Sequence, residues 1–154
     1  MSGITTPIVY IPHGGGPMPL LNESNHRSLI GFLKNIGSKL GQPKAILVIT
    51  AHWEAGIATT SSASNPEVIY DYHGFPAESY KLTYPAPGNP ELALQVKQLI
   101  NDYGLKATTD ATRGFDHGTF VPLTLMYPSA DISVLQLSFL NTLDAKHHID
   151  FCKA

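Results

Sequence analysis

Apolar positions along the chain alternate between unbroken runs and helical recurrences. Residues 6–12 (TPIVYIP) and 133–140 (SVLQLSFL) read as strands rich in apolar and β-branched residues, and 44–50 (KAILVIT) is an apolar run without polar alternation. That pattern marks strands covered on both faces, as in a parallel sheet. Residues 56–63 and 106–111 read as further, weaker strands. Between these runs the period changes to that of a helix. Leu29, Leu33, Ile36 and Leu40 recur within residues 24–40, and Gly41 supplies a stop. Asn89-Pro90-Glu91 opens a second helix with a cap, a first-turn proline and an acid at the positive dipole end. Leu92, Val96, Leu99 and Tyr103 form its apolar stripe before Gly104. A short helix over residues 119–127 and another opening at Asp144 complete the series. The order predicts an α/β fold, a mostly parallel central sheet with helices on both faces. No repeat or linker divides residues 1–154, so a single domain is expected.

Ligands of such sheets bind beyond the carboxyl ends of the strands. The sequence places His13 at the end of the first apolar run and His52 just past the second. If the two runs are neighbours, both imidazoles meet at one rim, where imidazole is a common ligand for zinc and iron. Gly14, Gly15 and Gly16 let the backbone turn tightly behind His13. Each histidine alone reads more readily as a hydrogen-bonded loop residue, and only the pair together brings the metal reading level with that one. The glycine turn lacks the Lys-Ser/Thr and GxGxxG spacings of phosphate loops. A third cluster is Arg113-Gly114-Phe115-Asp116-His117-Gly118. There Asp116 and His117 can orient a substrate or exchange protons with it. The alternative is an Asx-turn and helix cap, with Arg113 paired to a surface carboxylate. Residues 65–88 form a loop too long to be an idle connection. Within it Tyr70 to Pro76 (YDYHGFP) sets aromatic side chains that either wall a flat substrate or pin the loop to the core. His26, His147 and His148 fall on helical surfaces, where solvation is expected.

Composition narrows the functional classes. Of the 154 residues 43% are hydrophobic and only 14% charged, which suggests extensive internal sheet or a partner surface. The net charge of -2 gives no electrostatic case for nucleic acid or an anionic membrane. No apolar stretch is long enough to span a bilayer, and the first residues lack a charged and then apolar leader. The single cysteine, Cys152, excludes an internal disulfide framework, so a reducing cytoplasm is expected.

Along essentially the whole chain, in order, the sequence resembles the class III extradiol ring-cleaving dioxygenases of the DOPA-dioxygenase, LigB-like type. The segments that carry the resemblance are HGGGPM from His13, ILVITAHWE ending at Glu54, Tyr70 to Pro76, YPAPGNP from Tyr84, Arg113 to Pro122, and Met126 to Leu137. The resemblance implies a non-haem metal, Fe(II) in catalysis with Zn acceptable in the same site. His13 and His52 match two metal ligands, and His117 matches an active-site histidine outside the ligand set. Tyr72, Phe75, Asp116 and His117 are the expected substrate contacts. The implied partners are a small catechol and O2, both oxygens being inserted as the ring opens. The family continues beyond residue 154, so the resemblance also implies an N-terminal portion. The third ligand and the usual acid–base histidine then have no counterpart, and Glu54, two residues from His52, is the best improvised donor, ahead of Asp116 and His117. Two further readings are a catalytically incomplete metal- or ligand-binding remnant and a metal-dependent hydrolase. A portion so poor in charge is also expected to self-associate and to be a poor dioxygenase by itself.

Overall fold

The computed structural model describes residues 6–153. Helix α1 (Arg27–Leu40) leads into strand β1 (Ala45–Ala55) and then β2 (Ala58–Ser61). Helix α2 (Pro90–Asp102), strand β3 (Ala107–Asp110), helix α3 (His117–Met126), strand β4 (Ser133–Leu140) and helix α4 (Ala145–Phe151) follow. Short 3-10 turns occupy Met18–Leu21, Ser24–His26 and Ala77–Lys81. The four strands form one sheet in the order β1-β4-β2-β3. β1 with β4 and β2 with β3 are parallel, while β2 meets β4 antiparallel at Thr60 and Leu137. The sheet is therefore mostly parallel, as the continuous apolar runs predict.

Side chains of β4 alternate between two helix layers, because successive residues of a strand face opposite sides. Val134 joins Phe120, Val121 and Leu123 of α3 in the larger core, with Ile46 and Val48 of β1 packed against it. Leu137 turns the other way and packs with Ile100 of α2. α1 lies on α3, and their closest approach needs Gly37, because a Cβ there would collide with the Met126 carbonyl oxygen. Gly37→Ala is thus a sharp test. Helix propensity alone favours alanine by about 1 kcal/mol. Forcing two packed backbones apart costs roughly 1–3 kcal/mol. A lowered urea midpoint is the expected result, and a raised one would show that the helices separate freely.

The first predicted strand is the main correction. Residues 6–12 carry no secondary structure and do not enter the sheet, and Ile8 and Tyr10 are 98% and 99% exposed. A strand needs a ladder partner, and among the described residues none pairs with this segment. The second run behaves oppositely: β1 continues past residue 50 to Ala55 and takes His52 into the strand. β1 is an edge strand, and Leu47 and Ile49 on its side away from α3 stay exposed. α1 starts at Arg27 rather than at residue 24, and α3 starts at His117 rather than 119. Among the described residues no helix is long and apolar enough to cross a membrane.

Candidate metal centre

The site is built by α3 and its leading loop, held against β1. Asp116 caps α3, its Oδ1 accepting from the Thr119 amide at 3.1 Å. The same oxygen accepts from the Thr50 hydroxyl at 2.9 Å, and Thr50 Oγ1 accepts from the His52 amide at 3.1 Å. Asp116 Oδ2 pairs with Arg113 Nη2 at 3.0 Å, and the guanidinium lies 4.9 Å from the Trp53 ring centroid. Gln136 on β4 ties the loop from below. It accepts from Thr119 Oγ1 at 2.6 Å and donates to the Gly114 carbonyl at 2.8 Å. The first turn of α3 also presses on His52, since a Cβ on Gly118 would stand 2.6 Å from His52 Cδ2. One hydrogen-bonded network therefore fixes His52 and His117 relative to each other.

His13 completes the cluster from the glycine turn. Ligand atoms of His13, His52 and His117 lie within 4.8 Å of one another. The Nε2 atoms of His13 and His52 are 2.9 Å apart, and the ring centroids of His52 and His117 are 4.0 Å apart. Two nitrogens about 2.1 Å from one metal at a right angle stand roughly 3 Å apart, so the pair fits a shared ion. His13 Nδ1 is buried without a hydrogen-bond partner among the described residues. Burial lowers the His13 pKa from its ordinary value, and the neighbouring imidazoles of His117 and His52 lower it further. A lowered value favours the neutral imidazole that a metal requires.

Asp71 orients His117. One carboxylate oxygen accepts from His117 Nδ1 at 2.8 Å and from the His117 amide at 3.0 Å. With Nδ1–H committed to the carboxylate, Nε2 keeps its lone pair, an arrangement common behind functional imidazoles. Burial opposes ionisation of Asp71, but the His117 hydrogen bonds outweigh it and hold the carboxyl below its ordinary value. The other oxygen reaches to 3.9 Å from His52 Nδ1.

His13, His52 and His117 are thus brought together, although His13 follows an unpaired segment and His52 lies inside a strand rather than beyond one. Tyr72 borders His117 with ring centroids 5.8 Å apart, while its hydroxyl donates to the Ser79 carbonyl at 2.7 Å. Phe75 packs 5.4 Å from Tyr72 and closes over Gly16. These aromatics both pin the loop and flank the histidines. Asp116 does not fit the expected substrate contact. It is 0% exposed, with its oxygens taken by the cap, Thr50 and Arg113. Glu54 does not join the imidazoles, whereas His117 does. The register of β1 on β4 shifts between Ile49 and Glu54, so simple alternation does not carry from residue 52 to 54. His26 and His148 are likewise not merely solvated: His26 Nε2 accepts from the Gly15 amide, and His148 Nε2 accepts from the Leu140 amide. Asp71, Thr50 and Gln136 were not distinguishable as site residues in the sequence. Asp71 stood inside a cluster noted for its aromatics, with no local sign of a partner 46 residues away.

The fold and site together define an α/β protein with a histidine cluster of metal-binding type. The family model described as the catalytic LigB subunit of aromatic ring-opening dioxygenase matches residues 6–154, and the chain belongs to this family. The chain is 42% identical to the dioxygenase tasH of Hapsidospora irregularis, over 96% of this chain and 48% of that protein. It is 46% identical to the 4,5-DOPA dioxygenase extradiol of Beta vulgaris, over 90% of this chain and 52% of that one. A solved structure of an uncharacterized protein from Escherichia coli K12 superposes with a TM-score of 0.61 at 33% identity. It covers 77% of this chain and 43% of that one. The chain spans about half the length of the curated relatives it matches.

Proposed function

We propose that this chain carries the metal- and catechol-binding part of an extradiol dioxygenase active site. The observation that supports this most is the convergence of His13, His52 and His117 in a chain of the LigB family. In this reading His13 and His52 hold a non-haem metal, Fe(II) or, in its place, Zn. Once bound, a metal with so few protein ligands would have open positions for both catechol oxygens and for O2. His117 stands beside His13 and His52 with its Nε2 lone pair free of Asp71, suited to take a proton from a catechol hydroxyl. The negative Asp71 carboxylate would stabilise the imidazolium so formed. Tyr72 and Phe75 supply apolar walls of the kind a flat ring needs. The substrate class is a DOPA-like catechol, the compound named in the relatives. The cytoplasm is the proposed compartment.

A second reading is favoured by the half-length coverage: the 154 residues bind metal and catechol but turn over poorly. One experiment separates the two. The full chain is loaded with Fe(II) without air, given 4-nitrocatechol to read binding from its absorption, and separately given DOPA before air is admitted. A stoichiometric absorption shift that requires iron is expected, with oxygen uptake and yellow product slower than in a full-length relative. Uptake at a relative's rate would remove the second reading. No iron-dependent shift would sink the dioxygenase assignment.

A further inference from the structure

The structure assigns Glu23 and His26 as the positioning pair that sets His13 in the metal cluster. This rests on the reading of His13 as a metal ligand. His26 ends the 3-10 turn before α1, 13 positions past His13, and both of its ring nitrogens are engaged. Nε2 accepts from the Gly15 amide at 2.9 Å. Because an acceptor nitrogen must carry a lone pair, the proton sits on Nδ1 and is donated to Glu23 Oε2 at 2.6 Å. Glu23 is itself anchored, its amide donating to the Met18 carbonyl at 3.4 Å, and the Met18 amide donates to the Gly15 carbonyl at 3.3 Å. The segment from Gly15 to His26 thus closes on itself, with the imidazole as its tie.

The tie acts where the backbone is least constrained by side chains. Gly14 and Gly16 adopt φ of +83° and +55°, the left-handed region that glycine enters without steric cost. A turn of three glycines has many conformations of similar energy, and the one present sets His13 Nε2 at 2.9 Å from His52 Nε2. His26 selects it by holding Gly15 and by filling the space beside Gly14, where a Cβ would stand 2.8 Å from His26 Cδ2. Phe75 closes the other side, 2.8 Å from the position of a Cβ on Gly16. The Glu23–His26 pair repeats around the glycine turn the carboxylate–imidazole logic by which Asp71 orients His117. Among the described residues, the converging ligand group holds neither Glu23 nor His26.

The test measures Co(II) affinity from visible absorption, alongside thermal unfolding, in the full chain and in His13→Ala, His26→Phe, His26→Gln and Glu23→Gln. Groups hydrogen-bonded directly to a metal ligand typically alter affinity about 10- to 100-fold. His26 acts one step further out, through the Gly15 amide, so His26→Phe is expected to weaken cobalt binding by up to roughly tenfold. His26→Gln, whose side-chain oxygen can still accept from Gly15, should recover most of the loss. Glu23→Gln should fall between, and should decide the matter if His26→Phe proves too unstable to titrate. Unchanged affinity in Glu23→Gln and in whichever His26 variant folds, with affinity lost in His13→Ala, would overturn the assignment while leaving the metal reading intact. Equal losses in His26→Phe and His26→Gln would also overturn it, by showing that an acceptor for the Gly15 amide does not restore the site. If His13→Ala binds cobalt as the unaltered chain does, the metal reading fails first.

Discussion

Replacing His52 with alanine is expected to abolish stoichiometric binding of Fe(II) or Co(II), with little change in the circular dichroism of the folded chain. His52 is held by its own amide to Thr50 and faces His13 Nε2 at 2.9 Å. Losing it leaves one imidazole of the proposed ligand pair, and the remaining neighbour, His117, is assigned to proton transfer in this reading. The fold should tolerate the change, because 29% of the His52 side-chain surface is exposed and the edge strand keeps its backbone ladder to β4. His117→Ala is expected to behave differently. It should retain metal, since His13 and His52 remain, and should slow catechol turnover by about 10²–10⁴-fold, the usual scale for a proton-transfer group. Metal analysis after dialysis and steady-state oxygen uptake separate the two variants. Equal metal loss in both would place His117 in the ligand set and contradict the division of roles.

Part of the fold was legible in the chain because its apolar runs mark strands, although the run 44–50, read as covered on both faces, forms the edge strand β1 with Leu47 and Ile49 exposed. Residues 133–140 are the clearest case: β4 is the strand between β1 and β2, and its Val134, Leu135, Gln136, Leu137 and Ser138 are all buried. Residues 6–12 carry the same signal and fail, because a run of apolar residues states what a segment can do and not whether a partner strand lies beside it. Ile8, Tyr10 and the side of β1 carrying Leu47 and Ile49 are exposed apolar surface. The histidine cluster was legible in part. His13, His52 and His117 stood out by residue type and by place, at the ends of apolar runs or in a loop after a strand. The groups that hold them did not, because each acts across a large gap in sequence: Asp71 on His117, Thr50 on Asp116, Gln136 on Gly114. Asp116 shows the converse error. Its position beside His117 invites a substrate role, whereas complete burial commits it to the cap and to Arg113.

Asp116 should therefore be the most costly of these residues for stability. Asp116→Ala removes a helix cap, worth about 1 kcal/mol by itself. It also removes the carboxylate that pairs with Arg113 Nη2 and accepts from the Thr50 hydroxyl. Removing one partner of a fully buried pair costs about 3–5 kcal/mol. Here the Arg113 side chain retains 19% exposure and can reach water, so the total should lie near the lower end, about 3 kcal/mol. For a chain of this size that corresponds to a melting temperature lower by roughly 6–12 °C. Asp116→Asn separates the contributions. Its amide oxygen can still cap α3 and accept from Thr50, while the ion pair with Arg113 is gone, so a smaller loss of about 1–2 kcal/mol is expected. The effect should extend to the metal centre. Asp116 joins the start of α3, which carries His117 and Gly118, to Thr50, which holds the His52 amide. Loosening that joint should weaken cobalt binding in Asp116→Ala even at temperatures where the variant remains folded. Thermal unfolding and cobalt titration of both variants provide the check. An unchanged midpoint in Asp116→Ala would show that neither cap nor pair stabilises the fold, and unchanged cobalt affinity in a destabilised variant would uncouple α3 from the histidine cluster.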